Sequence, residues 1–332
     1  MNSIDSQKLY GLRGWAVLFV IFSHGSNKGL HFLELNFGGS GRYGVFLFFV
    51  LSAFLLSWQF LQAKDISTES VKKYLVRRFY RIYPLFVIAM LTYVGLYLAG
   101  IKIIKIDVED FLKLLFLIDD RPLFWTIVVE FQFYLILPML MSYLLMLKTK
   151  AHRLILVTLL FTVSAIKIEP KYSGVVIEFL PVFLAGVLAA IIYHGREKIK
   201  KYWLLNNIVI LMSFSVFFIT VPALYEIITG LDIENKFFHN QFVLYALSSA
   251  LLIITVLSVD KHVIFDNKII VFLGKISFSA YLFHLVPLYF VSHFLGDKEW
   301  AFIVYFAVTV GLSYTSYKHI EMPLYAKSHK IK

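Results

Sequence analysis

Two ionisable side chains, His24 and Glu130, stand inside long apolar stretches of this sequence. An ionisable group inside such a stretch is costly and is a functional candidate by default. Arg13 precedes His24 by eleven residues, which is about 16 Å along a helix and nearly the same helical face. If the helices carrying His24 and Glu130 run antiparallel, the two side chains fall at similar depth. A carboxylate beside an imidazole makes the imidazole a better general base. We therefore predict that Glu130 pairs with His24.

A second group of chemically active side chains follows at residues 77–84, RRFYRIYP. Arg78 and Arg81, three residues apart at a predicted helix start, would lie side by side and could bind a phosphate bidentately. The alternative is that these arginines only flank a membrane span and contact anionic lipid headgroups, and composition alone favours it. For His284, in the apolar stretch 272–293, we favour a hydrogen-bonded residue that joins helices.

The composition indicates which class of protein holds these side chains in place. Hydrophobic residues make up 59% of the 332 residues and charged residues 16%, and the mean hydropathy is +0.76. A soluble globular chain is closer to about 45–50% apolar and about 25% charged. With no cysteine there is no disulfide framework, thiolate zinc site or cysteine nucleophile. His24, Glu130 and His284 lie on three separate predicted spans and do not have the spacing of a pair of metal ligands, so we expect no metal site.

Apolar stretches about twenty residues long predict membrane-spanning helices, since a helix of that length crosses the bilayer core. We predict an all-α, polytopic membrane helical bundle that forms a single domain over residues 1–332, with no separate soluble domain. The predicted spans number about ten, at 10–28, 44–62, 81–100, 124–147, 153–168, 175–193, 203–222, 240–258, 272–293 and 299–317.

The distribution of basic residues predicts the orientation of these spans. With both termini in the cytoplasm, 22 of the 32 lysines and arginines fall in cytoplasmic segments, as the positive-inside rule requires. The net charge of +11 is then explained without a nucleic-acid partner. Residues 8–25 also resemble a cleavable signal peptide, but its removal would place most basic loops outside, so we disfavour it. We expect a multi-pass protein of the cell membrane.

Six blocks of the sequence resemble, in order, those of the acyltransferase-3 family of integral membrane acyltransferases. They are Arg13-x10-His24, 44–54 (GVFLFFVLSAF), Arg78-x-x-Arg81, 125–134 (WTIVVEFQFY), 273–284 (LGKISFSAYLFH) and Glu321-Met322-Pro323. Each block alone is a weak signal, whereas the ordered set covers essentially the whole chain. Two positions depart from the family pattern, because Phe46 replaces an acid and Ala53 replaces a glycine.

The resemblance implies transfer of an acyl group, usually acetyl, from a cytoplasmic coenzyme A thioester to a hydroxyl of a surface or lipid-linked saccharide. His24 would be the catalytic base or acyl relay, with Glu130 as its partner. Acetyl-CoA would be a co-substrate, and we expect no tightly bound cofactor. The other implied site residues are Arg13, Arg78 and Arg81 for the phosphates of the donor and Trp125, Tyr134 and His284 for substrate.

Two other classes of function fit the same residues. An exporter or flippase would use His24 and Glu130 as a proton relay, and it would have no reason to bind coenzyme A. A membrane scaffold or receptor would use the polar residues only to join helices. The sequence does not identify the acceptor site. The outer-loop residues that could bind a sugar also fit an interfacial aromatic belt, which we favour: Asp119, Asp120, Phe124, Trp125 and Trp300.

Overall fold

The computed structural model describes residues 5–118, 123–168, 174–194, 203–231, 241–296, 298 and 300–330. Their secondary structure is helical, apart from turns and one isolated bridge between Phe32 and Leu35. A 3-10 turn (Val176–Phe179) precedes α7, and a π-helical turn (Tyr317–Glu321) precedes α15. The α-helices are α1 (Ser6–Ser26), α2 (Gly41–Ala63), α3 (Thr68–Leu98), α4 (Val108–Leu115), α5 (Trp125–Met146), α6 (Lys150–Lys167), α7 (Leu180–Tyr193), α8 (Trp203–Ile219), α9 (Pro222–Thr229), α10 (Phe242–Val256), α11 (Lys268–Lys275), α12 (Ser277–Phe283), α13 (Leu285–Leu295), α14 (Ala301–Ser316) and α15 (Met322–Lys330).

The predicted all-α class is confirmed for the described residues, and four helical segments are long and apolar enough to cross a membrane. These are α2, α3, α5 and the continuous segment Val176–Tyr193. Two bent pairs raise the number to six if each pair is one span: Leu205–Ile219 with Pro222–Thr229, bent by 103°, and Ser277–Phe283 with Leu285–Leu295, bent by 51°. Helices also lie at the other predicted positions without meeting that length and composition test, so the count of ten is not confirmed.

Helix α1 packs backbone to backbone against α11 and the turn before it. A Cβ atom on Gly11 would collide with the carbonyl group of Phe265, and one on Gly14 with that of Ile270. In the same way, a Cβ on Gly274 would collide with the carbonyl group of Tyr10. Glycines at these close approaches remove the side-chain volume that would hold the helices apart. The α1–α11 contact therefore fixes the position of α1, which carries both Arg13 and His24.

The two departures from the family pattern lie on α2, and both pack in its interior. The Phe46 side chain is fully buried, with its ring centroid 6.4 Å from that of Phe179 and 6.1 Å from that of Tyr245. A Cβ on Gly186 would stand only 2.7 Å from the methyl group of Ala53, so the missing side chain on α7 makes room for that methyl group. An aromatic cluster therefore occupies the place of the acid in the family pattern.

The structure corrects the predicted start of the third span. Helix α3 begins at Thr68, and the hydroxyl of Ser67 accepts a hydrogen bond from the backbone N–H of Ser70 at 3.3 Å. A serine that caps a helix in this way satisfies one of the free N–H groups of the first turn. Arg78 and Arg81 consequently lie about three turns inside the helix, which keeps them on a rigid element rather than at its first turn.

Candidate functional site

The predicted arginines and Glu130 line one partly open cavity, whose unfilled space of about 780 Å³ includes its mouth. Helices α1, α2, α3, α5 and α12 contribute its walls, and half of the lining residues are hydrophobic. The polar and charged lining residues are Arg13, Ser52, Arg78, Arg81, Thr126, Glu130, Tyr134, Ser277 and Tyr281. Five of the six predicted blocks therefore meet at one place.

Glu130 accepts hydrogen bonds from the hydroxyl groups of Ser52 and Tyr134. These two hydroxyls also lie 3.1 Å from each other, so they form a compact group with the carboxylate. Tyr134 is one turn further along α5 than Glu130, and Ser52 belongs to α2. The predicted pairing of Glu130 with His24 is wrong, because similar depth along antiparallel helices does not specify which neighbour each helix faces.

Three guanidinium groups and one carboxylate are the charged groups that line the cavity, so its formal charge is positive. Arg13 donates from Nε to the hydroxyl of Ser277 at 3.2 Å, and its guanidinium lies 5.9 Å from the ring centroid of Phe48. Within the described part of the chain, Nε of Arg78 is buried without a hydrogen-bond partner. A buried guanidinium N–H that is not hydrogen-bonded is available to a ligand acceptor.

Glu321, in the π-helical turn, supplies a second carboxylate close to the arginines. Its carboxylate accepts a hydrogen bond from the hydroxyl of Ser279 at 2.8 Å, and it interacts electrostatically with Arg13 and Arg81. Burial raises the pKa of Glu321 above its ordinary value, while the hydrogen bond from Ser279 and then the charge of Arg13 act in the opposite direction. Glu321 thus offsets part of the positive charge around the cavity.

His24 contacts His284 instead of Glu130. Nδ1 of His24 lies 2.6 Å from Nε2 of His284, and the two ring planes are within 7° of parallel. His24 is partly exposed, whereas His284 is fully buried at the break between α12 and α13. Neither histidine lines the cavity, but Tyr281 does, and its ring centroid is 6.1 Å from that of His284. The histidine pair therefore lies next to the cavity wall.

The predicted aromatic substrate residues are distributed differently. Tyr134 lines the cavity, whereas Trp125 is packed outside it, with its ring centroid 5.1 Å from that of Phe179. Phe124 is fully buried and Trp300 is exposed, beneath the ammonium group of Lys298 at 5.5 Å. Asp119 and Asp120 lie outside the described residues.

The serine hydroxyls that bind the charged groups, and Tyr281, were not among the residues predicted from the sequence. Ser52, Ser277 and Ser279 each bind a charged site residue, and Tyr281 accepts a hydrogen bond from Thr126 at 2.8 Å. Hydroxyl groups inside an apolar helix usually bond to their own backbone, so the sequence contains no particular signal for them. All of these residues nevertheless belong to blocks that carry the family resemblance.

Helices apolar enough to cross a membrane, a cavity lined by three arginines and an adjacent histidine pair indicate a helical membrane protein with a positively charged site. The sequence matches the family model described as "Acyltransferase domain" over residues 4–318. The chain belongs to the acyltransferase-3 family, and the expectation from the six blocks is confirmed.

Curated relatives agree with this family. The chain is 27% identical over 358 residues to "Putative O-acetyltransferase SACOL0978" of Staphylococcus aureus (strain COL), covering 95% of this chain and 56% of the relative. It is 25% identical to "O-acetyltransferase OatA" of S. aureus (strain NCTC 8325 / PS 47), covering 97% of this chain and 57% of that protein. A viral relative, "Putative acetyltransferase ORF330" of Acidianus two-tailed virus, is 29% identical over 294 residues, covering 83% of this chain and 81% of the relative.

The chain spans just over half the length of the Staphylococcus relatives that it matches. No solved structure matches it significantly. The family assignment therefore rests on sequence alone.

Proposed function

We propose that the chain transfers an acyl group, and specifically acetyl, from cytoplasmic acetyl-CoA to a hydroxyl group of a surface or lipid-linked saccharide. The observation that carries this proposal is the cavity that brings Arg13, Arg78 and Arg81 together beside a histidine pair. The relatives named as O-acetyltransferases support an oxygen acceptor.

The arginines bind the phosphate groups of the donor. Coenzyme A carries several negative charges, and guanidinium groups bind phosphate with paired, charge-assisted hydrogen bonds. The positive formal charge of the cavity and the free Nε of Arg78 support this role. Arg13 and His24 are separated by about 16 Å along α1, so the nucleotide can stay near the arginines while the extended arm carries the thioester towards His24.

His24 provides the base. A sugar hydroxyl is a weak nucleophile at neutral pH, and a positioned imidazole that takes its proton makes it reactive. As the acceptor oxygen bonds to the thioester carbonyl carbon, the C–S bond breaks, and the thiolate takes up a proton to leave as coenzyme A. If His24 is acylated first and then passes the group on, the balance is the same. Both routes need an unprotonated ring nitrogen on His24.

The remaining predictions complete the proposal. We assign Glu130 to the catalytic centre, where it holds the hydroxyls of Ser52 and Tyr134 in the cavity wall, and we retain Trp125 and Tyr134 as contacts for substrate. We also propose a single membrane domain with about ten spans in the cell membrane and both termini in the cytoplasm. That orientation allows a donor from inside to serve an acceptor exposed outside. The proposed function requires no nucleic-acid partner, no metal and no tightly bound cofactor.

The test is chemical analysis of the surface of producing cells. The gene is deleted and complemented with the wild type, with His24→Ala or with His293→Ala, which changes an exposed histidine on α13. Mass spectrometry of surface and lipid-linked glycans should show acetyl groups with the wild type and His293→Ala, and none with His24→Ala at equal protein level. Identical acetylation in the deletion strain and the wild type would contradict the proposal.

A further inference from the structure

Both ring nitrogens of His284 are engaged in hydrogen bonds, and one of them has a fixed role. Nδ1 lies 2.8 Å from the carbonyl oxygen of Tyr281 and 3.1 Å from that of Ala280. A carbonyl oxygen only accepts, so Nδ1 of His284 must carry a proton and donate it. In the neutral ring, Nε2 then carries a lone pair and can only accept.

The proton between the two histidines therefore belongs to His24. Nδ1 of His24 is 2.6 Å from Nε2 of His284. The ring centroids are 4.8 Å apart, which equals the nitrogen–nitrogen distance plus about two ring radii, so the two nitrogens lie on the line that joins the centroids. The ring planes are also within 7° of parallel. The rings consequently lie side by side in nearly one plane, which is the geometry of an N–H···N hydrogen bond. His24 donates from Nδ1, and the lone pair of its neutral ring lies on Nε2.

We infer that His284 is a positioning residue that holds His24 in the tautomer with a free lone pair on Nε2. The catalytic consequence rests on the proposed function, since both the base and the relay route use that lone pair. This role replaces the substrate-binding role that the family resemblance implied for His284. A fully buried ring held by two backbone carbonyls is well suited to it, because its orientation is set by the helix break itself.

The structure also indicates what His24 would do without this partner. A neutral imidazole has one proton and two nitrogens, and the hydrogen bond at one nitrogen decides the state of the other. If the acceptor at Nδ1 is removed, nothing from His284 holds the proton there. The ring is then free to protonate Nε2, which removes the lone pair from the reactive side.

The first test measures the tautomer without requiring activity. Protein labelled with ¹⁵N in histidine is purified in detergent micelles, ring nitrogens are correlated with ring protons by NMR, and His24 is assigned from the signal lost in His24→Ala. We expect the wild type to have its proton on Nδ1 and a lone pair on Nε2. A His24 ring protonated on Nε2, whether neutral or doubly protonated, would overturn the inference.

Two amide substitutions provide the matched comparison. In His284→Gln an amide oxygen can reach the place of Nε2 and accept from His24, whereas the shorter side chain in His284→Asn reaches only the place of Nδ1. We expect His24 to keep its tautomer in His284→Gln and to become a mixture in His284→Asn. The same spectrum for both variants would contradict the positioning role. Because neither spectrum depends on a substrate, failure of the proposed acyl transfer would leave these results unaffected.

Kinetics supply a second readout. We expect kcat to fall about a hundredfold in His284→Asn, the range of a lost general base, and much less in His284→Gln. The KM for the donor should be unchanged in both, since the arginines bind it. Equal losses of kcat in two variants with equal thermal midpoints would show that His284 serves only the fold, and would reject the inference.

Discussion

His24 and His284, which are 260 residues apart in the sequence, share a hydrogen bond of 2.6 Å between Nδ1 and Nε2. This contact joins the first helix to the break between α12 and α13, and it lies beside a cavity with three arginines. The two hydrogen-bonded imidazoles thus come from distant parts of the chain. Their geometry depends on the packing of α1 against the later helices rather than on any local motif.

Replacing Arg78 and Arg81 together by alanine should weaken binding of acetyl-CoA about a hundredfold or more. Each charge-assisted hydrogen bond contributes about 1.5–3 kcal/mol, and 1.4 kcal/mol is tenfold in the dissociation constant. Isothermal titration calorimetry of the detergent-purified variant gives the dissociation constant directly.

The control for the arginine variant is Lys72→Ala, which removes an exposed cation from the same helix outside the cavity. We expect its dissociation constant to match that of the wild type. Donor affinity that is unchanged by loss of both arginines would assign them to topology or lipid contact instead.

Glu130→Gln should lower kcat on the order of tenfold without weakening donor affinity. The carboxylate accepts from two hydroxyls, whereas an amide offers one oxygen and a competing N–H₂ group, and charge-assisted bonds of this kind are worth about 1.5–3 kcal/mol. Removing a negative charge from the cavity does not disfavour an anionic donor. Steady-state assays should separate the two effects, with the exposed Glu226→Gln as the control. Weaker donor binding with an unchanged kcat would be the opposite of our expectation.

Gly274→Ala should destabilise the protein by about 1–3 kcal/mol, as overpacking of a tight contact does. The added Cβ would collide with the carbonyl group of Tyr10, and backbone atoms cannot move aside as a flexible side chain can. Gly311 on α14 provides the comparison, because a Cβ there meets nothing within 4 Å. Gly311→Ala should leave the thermal midpoint unchanged or raise it, since alanine is favoured over glycine in a helix by roughly 0.5–1 kcal/mol. Equal midpoints for the two variants would argue against the close α1–α11 approach.

Phe46→Asp, which restores the acid of the family pattern, should prevent accumulation of folded protein. Phe46 is fully buried among aromatic rings, and an unpaired carboxylate in such a place is far more costly than a lost apolar contact. Phe46→Leu should lose only part of the packing. Fluorescence-detected size exclusion of both variants measures this difference. Equal yields of monodisperse protein would mean that the aromatic cluster tolerates a polar group.

The sequence predicts the chemistry of this site better than its geometry. The positions of the helices, the three arginines and both histidines follow from apolar runs and from the blocks that resemble the family. Depth along a helix also follows from the sequence, because the rise per residue is fixed. The neighbouring helix that a side chain faces does not follow from the sequence, because it depends on helix packing over long sequence separations. Glu130 therefore faces Ser52 and not His24.

The broken helix at His284 shows a second limit. An apolar stretch of 22 residues predicts one straight span, yet α12 and α13 meet at 51° beside His284. Pro287 is a local signal for the break, because it lacks the N–H that would bond to the carbonyl group of Phe283, the last residue of α12, and its ring clashes there. The prediction of a single span did not use this proline. The hydrogen bonds of His284 to two carbonyls accompany that bend.

The most direct test of the account is binding and turnover of radiolabelled acetyl-CoA by the purified protein supplied with an extract of cell-surface and lipid-linked saccharides. We predict saturable binding to the wild type and to His24→Ala, with label appearing in the saccharide fraction only for the wild type. Absence of saturable binding to the wild type, or equal labelling by His24→Ala, would contradict an acyltransferase that works through the imidazole of His24.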